Sequence, residues 1–182
     1  IAMSNGECVV LPLSGDPELV VHGMEIGGAL LHSWREAPRA YDPDVSRAEY
    51  LARVLVDRGL DGSRLGVEMH TPAVPAEFPE SLRQALDKTD LVDGSRLVEE
   101  VKMTKSTREI DYLRKAAEIT CIGMNAAIDE VAVGKQDNDV AAAAYHAMAA
   151  AGSEYLNHCV VVTSGRRSGI LHSTYKRSPL VQ

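Results

Sequence analysis

Aromatic side chains are scarce in this sequence of 182 residues: one Trp, one Phe and six Tyr, or 4% of the chain. A core built without them rests on Leu, Val, Ala and Met, and the 45% hydrophobic content is enough to supply one. Basic charge is also in deficit. Lys and Arg number 19 against 26 Asp and Glu, a net charge of -7. General nucleic-acid binding needs a basic stripe to neutralise phosphates, so that class is excluded. Lys102, Lys105, Arg108, Arg114 and Lys115 do cluster, but they alternate with Glu99, Glu100, Glu109, Asp111 and Glu118. That alternation is the pattern of a solvated helix face.

Cysteine is limited to Cys8, Cys121 and Cys159, with no C-x-x-C pair. No zinc site is signalled, and isolated thiols in odd number suit a reducing cytoplasm, the expected compartment. All three are expected as small core residues. His22, His32 and His70 show no ligand spacing, so no metal is assigned to them. No apolar run approaches the roughly 20 residues of a membrane span, and no membrane partner is expected. Ser164 has no Gly-x-Ser-x-Gly context, which removes it as a nucleophile.

The first third of the chain alternates short strands with turns. Residues 8–13 and 18–22 read as a hairpin around Ser14-Gly15-Asp16-Pro17. Residues 25–31 fit helix or loop, and residues 34–43, rich in Pro and charge, read as a loop. Asp44 or Ser46 caps a helix to Arg58, with Tyr50, Leu51, Val54 and Leu55 at helical spacing and Gly59 as its stop. Residues 64–68 read as a buried strand, 75–86 as a helix and 90–93 as a short edge strand. Together they make an α/β domain.

The character then changes. Ser106-Thr107-Arg108-Glu109 is a capping box. Ile110, Leu113, Ala117, Cys121, Met124 and Ile128 recur at three and four residues and give one apolar stripe on a helix to Val131. Val133-Gly134-Lys135 breaks it. Asp137 or Asn138 caps a second, Ala-rich helix that ends at Gly152. Residues 157–163 and 171–175 read as two strands flanking a polar turn.

This order resembles the entry half of the creatinase and Xaa-Pro peptidase family, the pita-bread hydrolases. The resemblance rests on several motifs in sequence. Lys102 to Ser106 leads into Glu109-Ile110-Asp111-Tyr112-Leu113-Arg114-Lys115-Ala116-Ala117. The breaker and second helix follow, then Ser164-Gly165 and a histidine, His172. Leu65-Gly66-Val67-Glu68 is similar to a strand of that family's N-terminal domain. Each motif is weak alone; the ordered set is fairly specific and spans most of the chain.

The resemblance implies a creatinase-type α/β N-terminal domain with an RNase H-like sheet over residues 1–95. The first part of an α+β pita-bread domain follows over residues 96–182. It also implies a hydrolase, cleaving a C–N bond in a dipeptide or a small amide or amidino substrate, and a homodimer. In metal-dependent members two Asp, one His and two Glu further on bind a dinuclear Mn, Co or Zn centre. In creatinase-like members those carboxylates are replaced and a histidine does the acid/base work. This sequence carries no such ligand run, so no cofactor is assigned to it. It is expected to be an internal portion of a longer protein, inactive alone. His172-Ser173 departs from the His-Gly of many aminopeptidases, which favours creatinase-like or ectoine-hydrolase-like chemistry over plain Xaa-Pro peptidase activity. A noncatalytic peptide- or protein-binding module on the same fold is the alternative class.

His172 is the first candidate for chemistry, because a histidine relays protons near neutral pH. The residues alone leave it open between that role and a surface turn histidine. By resemblance it contacts or protonates substrate. Arg166 and Arg167 could fork onto a substrate carboxylate or simply be solvated. His158 is a second pocket candidate or a structural histidine, and His146 a packing or surface residue. Resemblance to creatinase-like dimers, whose N-terminal domain reaches over the partner's active site, offers Trp34 and Tyr41 that role; the residues alone read as a local packing anchor.

Overall fold

The β-branched run near the start of the chain forms the expected hairpin. Strand β1 (Cys8–Val10) pairs antiparallel with β2 (Glu18–His22), Cys8 opposite Val20 and Val10 opposite Glu18. Gly15, at φ 88°, turns the chain between them, a conformation in which a side chain would be strained. The computed structural model describes residues 7–34 and 36–181. They divide into two units, one ending at Met103 and the other beginning at Thr104.

In the first unit the ambiguous stretch after β2 resolves as helix: a single 3-10 turn, Gly23–Glu25, leads into α1 (Ile26–His32). The expected loop that follows contains a third strand, β3 (Arg39–Tyr41), parallel to β2 with Val20 opposite Arg39. Local composition argued against a strand there, but pairing with a buried neighbour decides strand formation more strongly than propensity. Arg39 is held by Glu18 at 3.3 Å and Asp57 at 2.8 Å. Tyr41 is buried, edge-on to the His22 ring with centroids 5.3 Å apart.

Helix α2 (Arg47–Asp57) follows its predicted spacing and buries Leu51, Val54 and Leu55. These pack with Val20, Leu82 and Leu86 in one apolar core. Leu82 comes from α3 (Phe78–Ala85), which starts with a Pro in its first turn. Strands β4 (Arg64–Val67) and β5 (Asp90–Asp93) pair parallel, Leu65 opposite Leu91. A short helix not expected from the sequence, α4 (Leu97–Met103), closes this unit. It has two turns and buries no residue, so it leaves no covered stripe for periodicity to register.

The second unit is built on two helices. In α5 (Thr107–Glu130) the capping box is complete: Ser106 Oγ accepts from the Glu109 N–H at 3.3 Å, and Glu109 Oε2 accepts from the Ser106 N–H at 2.8 Å. Helix α6 (Asp137–Ala150) packs Val140, Ala141, Ala144 and Met148 inward. Gly123 of α5 is buried under Met148; a Cβ there would lie 2.4 Å from Met148 Cγ. The expected cap of α6 is corrected by one residue. Gln136 is the cap, boxed with Asp139, whose Oδ2 accepts from the Gln136 N–H at 2.8 Å.

The two strands expected over residues 157–163 and 171–175 are absent among the described residues, where only a 3-10 turn, Gly165–Gly169, is regular. A strand exists only where its backbone is paired, and no neighbouring strand is offered to this segment among the described residues. The Val160 N–H instead donates to Tyr145 Oη at 2.9 Å. The cysteines also differ from expectation: Cys121 and Cys159 are exposed and Cys8 is half-buried. Among the described residues no helix is long and apolar enough to cross a membrane.

Candidate functional site

The first residue of α6, Asp137, has no exposed surface at all. A carboxylate in that position must be satisfied on both oxygens or it destabilises the fold. Here it is. Oδ1 accepts from the Ser178 N–H at 2.9 Å, and Oδ2 accepts from the Lys176 N–H at 3.0 Å and from the Arg167 guanidinium. Arg167 spends a second nitrogen, Nη1, on the Thr174 carbonyl at 2.8 Å. The neighbouring Asn138 Oδ1 accepts from the Arg177 N–H at 2.7 Å.

Backbone bonds extend the same seam. The Asp137 N–H donates to the Ser178 carbonyl at 3.0 Å, and the Leu180 N–H to the Lys135 carbonyl at 2.8 Å. Residues 178–180 therefore run against the start of α6, and residues 168–173 form a loop with both ends tied to Asp137. His172 stands in that loop with φ 60°, a left-handed backbone uncommon for a residue with a side chain.

Burial is the largest influence on Asp137 and pushes its pKa up. The amides of Lys176 and Ser178, with Arg167, outweigh it and leave the carboxyl below its ordinary value. Asp137 is therefore ionised at neutral pH and holds its donors as an anion.

The sequence-predicted residues fall as follows. His172 is exposed on the tied loop. Arg166 is exposed one residue before Arg167, which is committed to Asp137 and Thr174. His158 Nδ1 donates to the Cys159 carbonyl at 2.9 Å. His158, Arg166 and His172 belong to one polar, irregular segment, with no hydrogen bond joining them among the described residues. Trp34 lies in the first unit, 66% exposed just beyond α1. Among the described residues no three His, Cys, Asp or Glu side chains gather as a metal ion requires. The described residues do not form a metal centre.

The sequence marks Asp137 only as a candidate helix cap and carries no sign of its pairing with Arg167. Arg167 is a carboxylate fork, as the sequence allows, but its carboxylate is internal. An acid in the first turn of a helix is ordinary at sequence level, and only its burial sets this one apart.

An α/β unit, then two packed helices and an irregular segment, is the order of elements the resemblance to the pita-bread fold implies. Comparison with known proteins agrees. Residues 3–104 match the creatinase/prolidase N-terminal domain and residues 111–181 match metallopeptidase family M24. The chain belongs to the creatinase/prolidase family. It is 33% identical to the ectoine hydrolase of Halomonas elongata over 134 residues, 69% of this chain and 33% of that protein. It is 29% identical to an Xaa-Pro dipeptidase of Pyrococcus horikoshii over 116 residues, 63% of this chain and 32% of that protein. The fold matches the Xaa-Pro dipeptidase structure from Bacillus anthracis with a TM-score of 0.77 and 17% identity, over 98% of this chain and 48% of that one. The aligned part thus spans about a third of these curated relatives and about half of that structure.

Proposed function

We propose that this chain is the entry half of a hydrolase that cleaves a C–N bond in a dipeptide or a small amide or amidino substrate. The observation that carries the proposal is the matching of both parts of the family, in order, along one chain. His172 contacts the substrate or transfers a proton to it, on a loop whose ends are tied to a buried anion. An imidazole at such a loop suits protonation of a departing nitrogen, since its ordinary pKa lies near neutrality. Arg166 and His158, exposed on the same segment, are candidates for substrate contact; Trp34 is a further candidate.

The 182-residue chain alone does not turn over substrate, because it aligns with only about a third of the ectoine hydrolase and about half of the Xaa-Pro dipeptidase structure it matches.

The test compares the 182-residue chain with the natural gene product that carries it. Both are assayed on Ala-Pro, creatine and ectoine, with and without chelator. Turnover of one substrate by the gene product, none by the chain, and a loss of 100-fold or more in His172→Ala is the expected result. No turnover by either, with the fold intact, overturns the hydrolase reading in favour of a binding module.

A further inference from the structure

We propose that Asp137 and Arg167 are positioning residues, which fix the loop bearing His172 by clamping both of its ends to the start of α6. Arg167 leads into the loop; Thr174, Lys176 and Ser178 follow it. All four are joined through one carboxylate and one guanidinium. The six residues between, 168–173, include His172, whose left-handed backbone has a conformational cost that a free loop would relax. A helix cap does not explain this arrangement, because the capping of α6 is carried out by Gln136 and Asp139. Nor does surface ion pairing: Asp137 is fully buried and Arg167 largely so. A buried anion with three external donors holds the segment with the candidate acid/base group against the start of α6.

The role of His172 rests on the proposed hydrolase reading; the clamp itself does not. Two measurements keep the failures apart. The first is amide hydrogen exchange on the 182-residue chain, comparing wild type with Asp137→Asn and Arg167→Lys. Exchange tenfold or more faster at Ile170, Lys176 and Ser178, with Ala144 and Met148 of α6 unchanged, is expected. Loss spread evenly over α6, or no change at the loop, overturns the clamp. Arg167→Lys keeps the charge but not the fork, and it carries the test if Asp137→Asn does not fold.

The second is a double-mutant cycle in the natural gene product, on whichever of Ala-Pro, creatine or ectoine it hydrolyses. Asp137→Asn is expected to lower kcat at least tenfold with little change in KM, and to have no further effect in a His172→Ala background. Multiplying losses would mean that Asp137 does not act through His172. An unchanged rate in His172→Ala alone would instead overturn the role given to the histidine and leave the exchange result standing.

Discussion

Single side chains in this protein behave differently from their sequence neighbours because of burial. Desolvation pushes the Cys8 thiol up to about 11, against an opposing pull from Arg47. It therefore stays protonated and inert at neutral pH, while Cys121 and Cys159 are exposed. A thiol reagent at pH 7.5 should label two cysteines quickly and the third only after denaturation; fast labelling of all three would contradict the placement of Cys8. Asp137 is shifted the other way. Its native pKa lies below the unfolded one, so folding releases protons in the acid range. The stability it confers is complete above pH about 4 and is lost as pH falls through the native value. Acid titration of the clamp, followed by exchange at Lys176 and Ser178, should therefore show release only below about pH 4. Release between pH 5 and 7 would mean that another group controls it.

Elements with a strong local signal were legible, and those that depend on distant partners were not. The stripe of α5, its capping box and the spacing of α2 follow from residues close in sequence. Strand β3 was missed because Arg39, Ala40 and Tyr41 become a strand only beside β2. The strands expected over residues 157–163 and 171–175 failed for the converse reason: their β-branched residues suit a sheet, but no pairing strand stands beside them among the described residues. Of the candidate site, His172 and the arginine pair could be picked out by residue type. The clamp could not, since it joins residues about 40 apart.

The contact of α5 with α6 yields a further prediction. Gly123→Ala gains about 1 kcal/mol of helix propensity, but its Cβ would lie 2.4 Å from Cγ of the buried Met148, so that side chain must leave its place and the net effect should be a modest loss of stability. Gly123→Leu cannot be accommodated in that way and should destabilise the second unit by about 1–3 kcal/mol. Chemical denaturation distinguishes the two, and equal stability would show that the helices can separate freely.

Across the whole chain the apolar surface is unevenly covered. The first unit closes a core of fully buried residues, Val20, Val54, Leu55 and Leu82 among them. The second leaves most of its long stripe in solvent: Leu113 is 56% exposed, Met124 58% and Ile128 61%. Contiguous apolar surface of this kind drives association or loss of structure. Residues 7–103 prepared alone should melt cooperatively. Residues 104–182 alone should be poorly stable or dimerise, and a cooperative, monomeric melt of that segment would contradict this account. Calorimetry with sedimentation on the two pieces decides it.

The seam that ties residue 178 to residue 137 also bears on the order in which the second unit forms. The α5–α6 hairpin needs only short-range contacts, whereas the seam must close a loop of 41 residues. The chain entropy of that closure is about 3 kcal/mol, unfavourable until the contacts exist. The seam should therefore form late, after the folding barrier is crossed. Weakening it should hasten unfolding and leave refolding nearly unchanged. The candidate acid/base group is thus set in place only after the helices that support it.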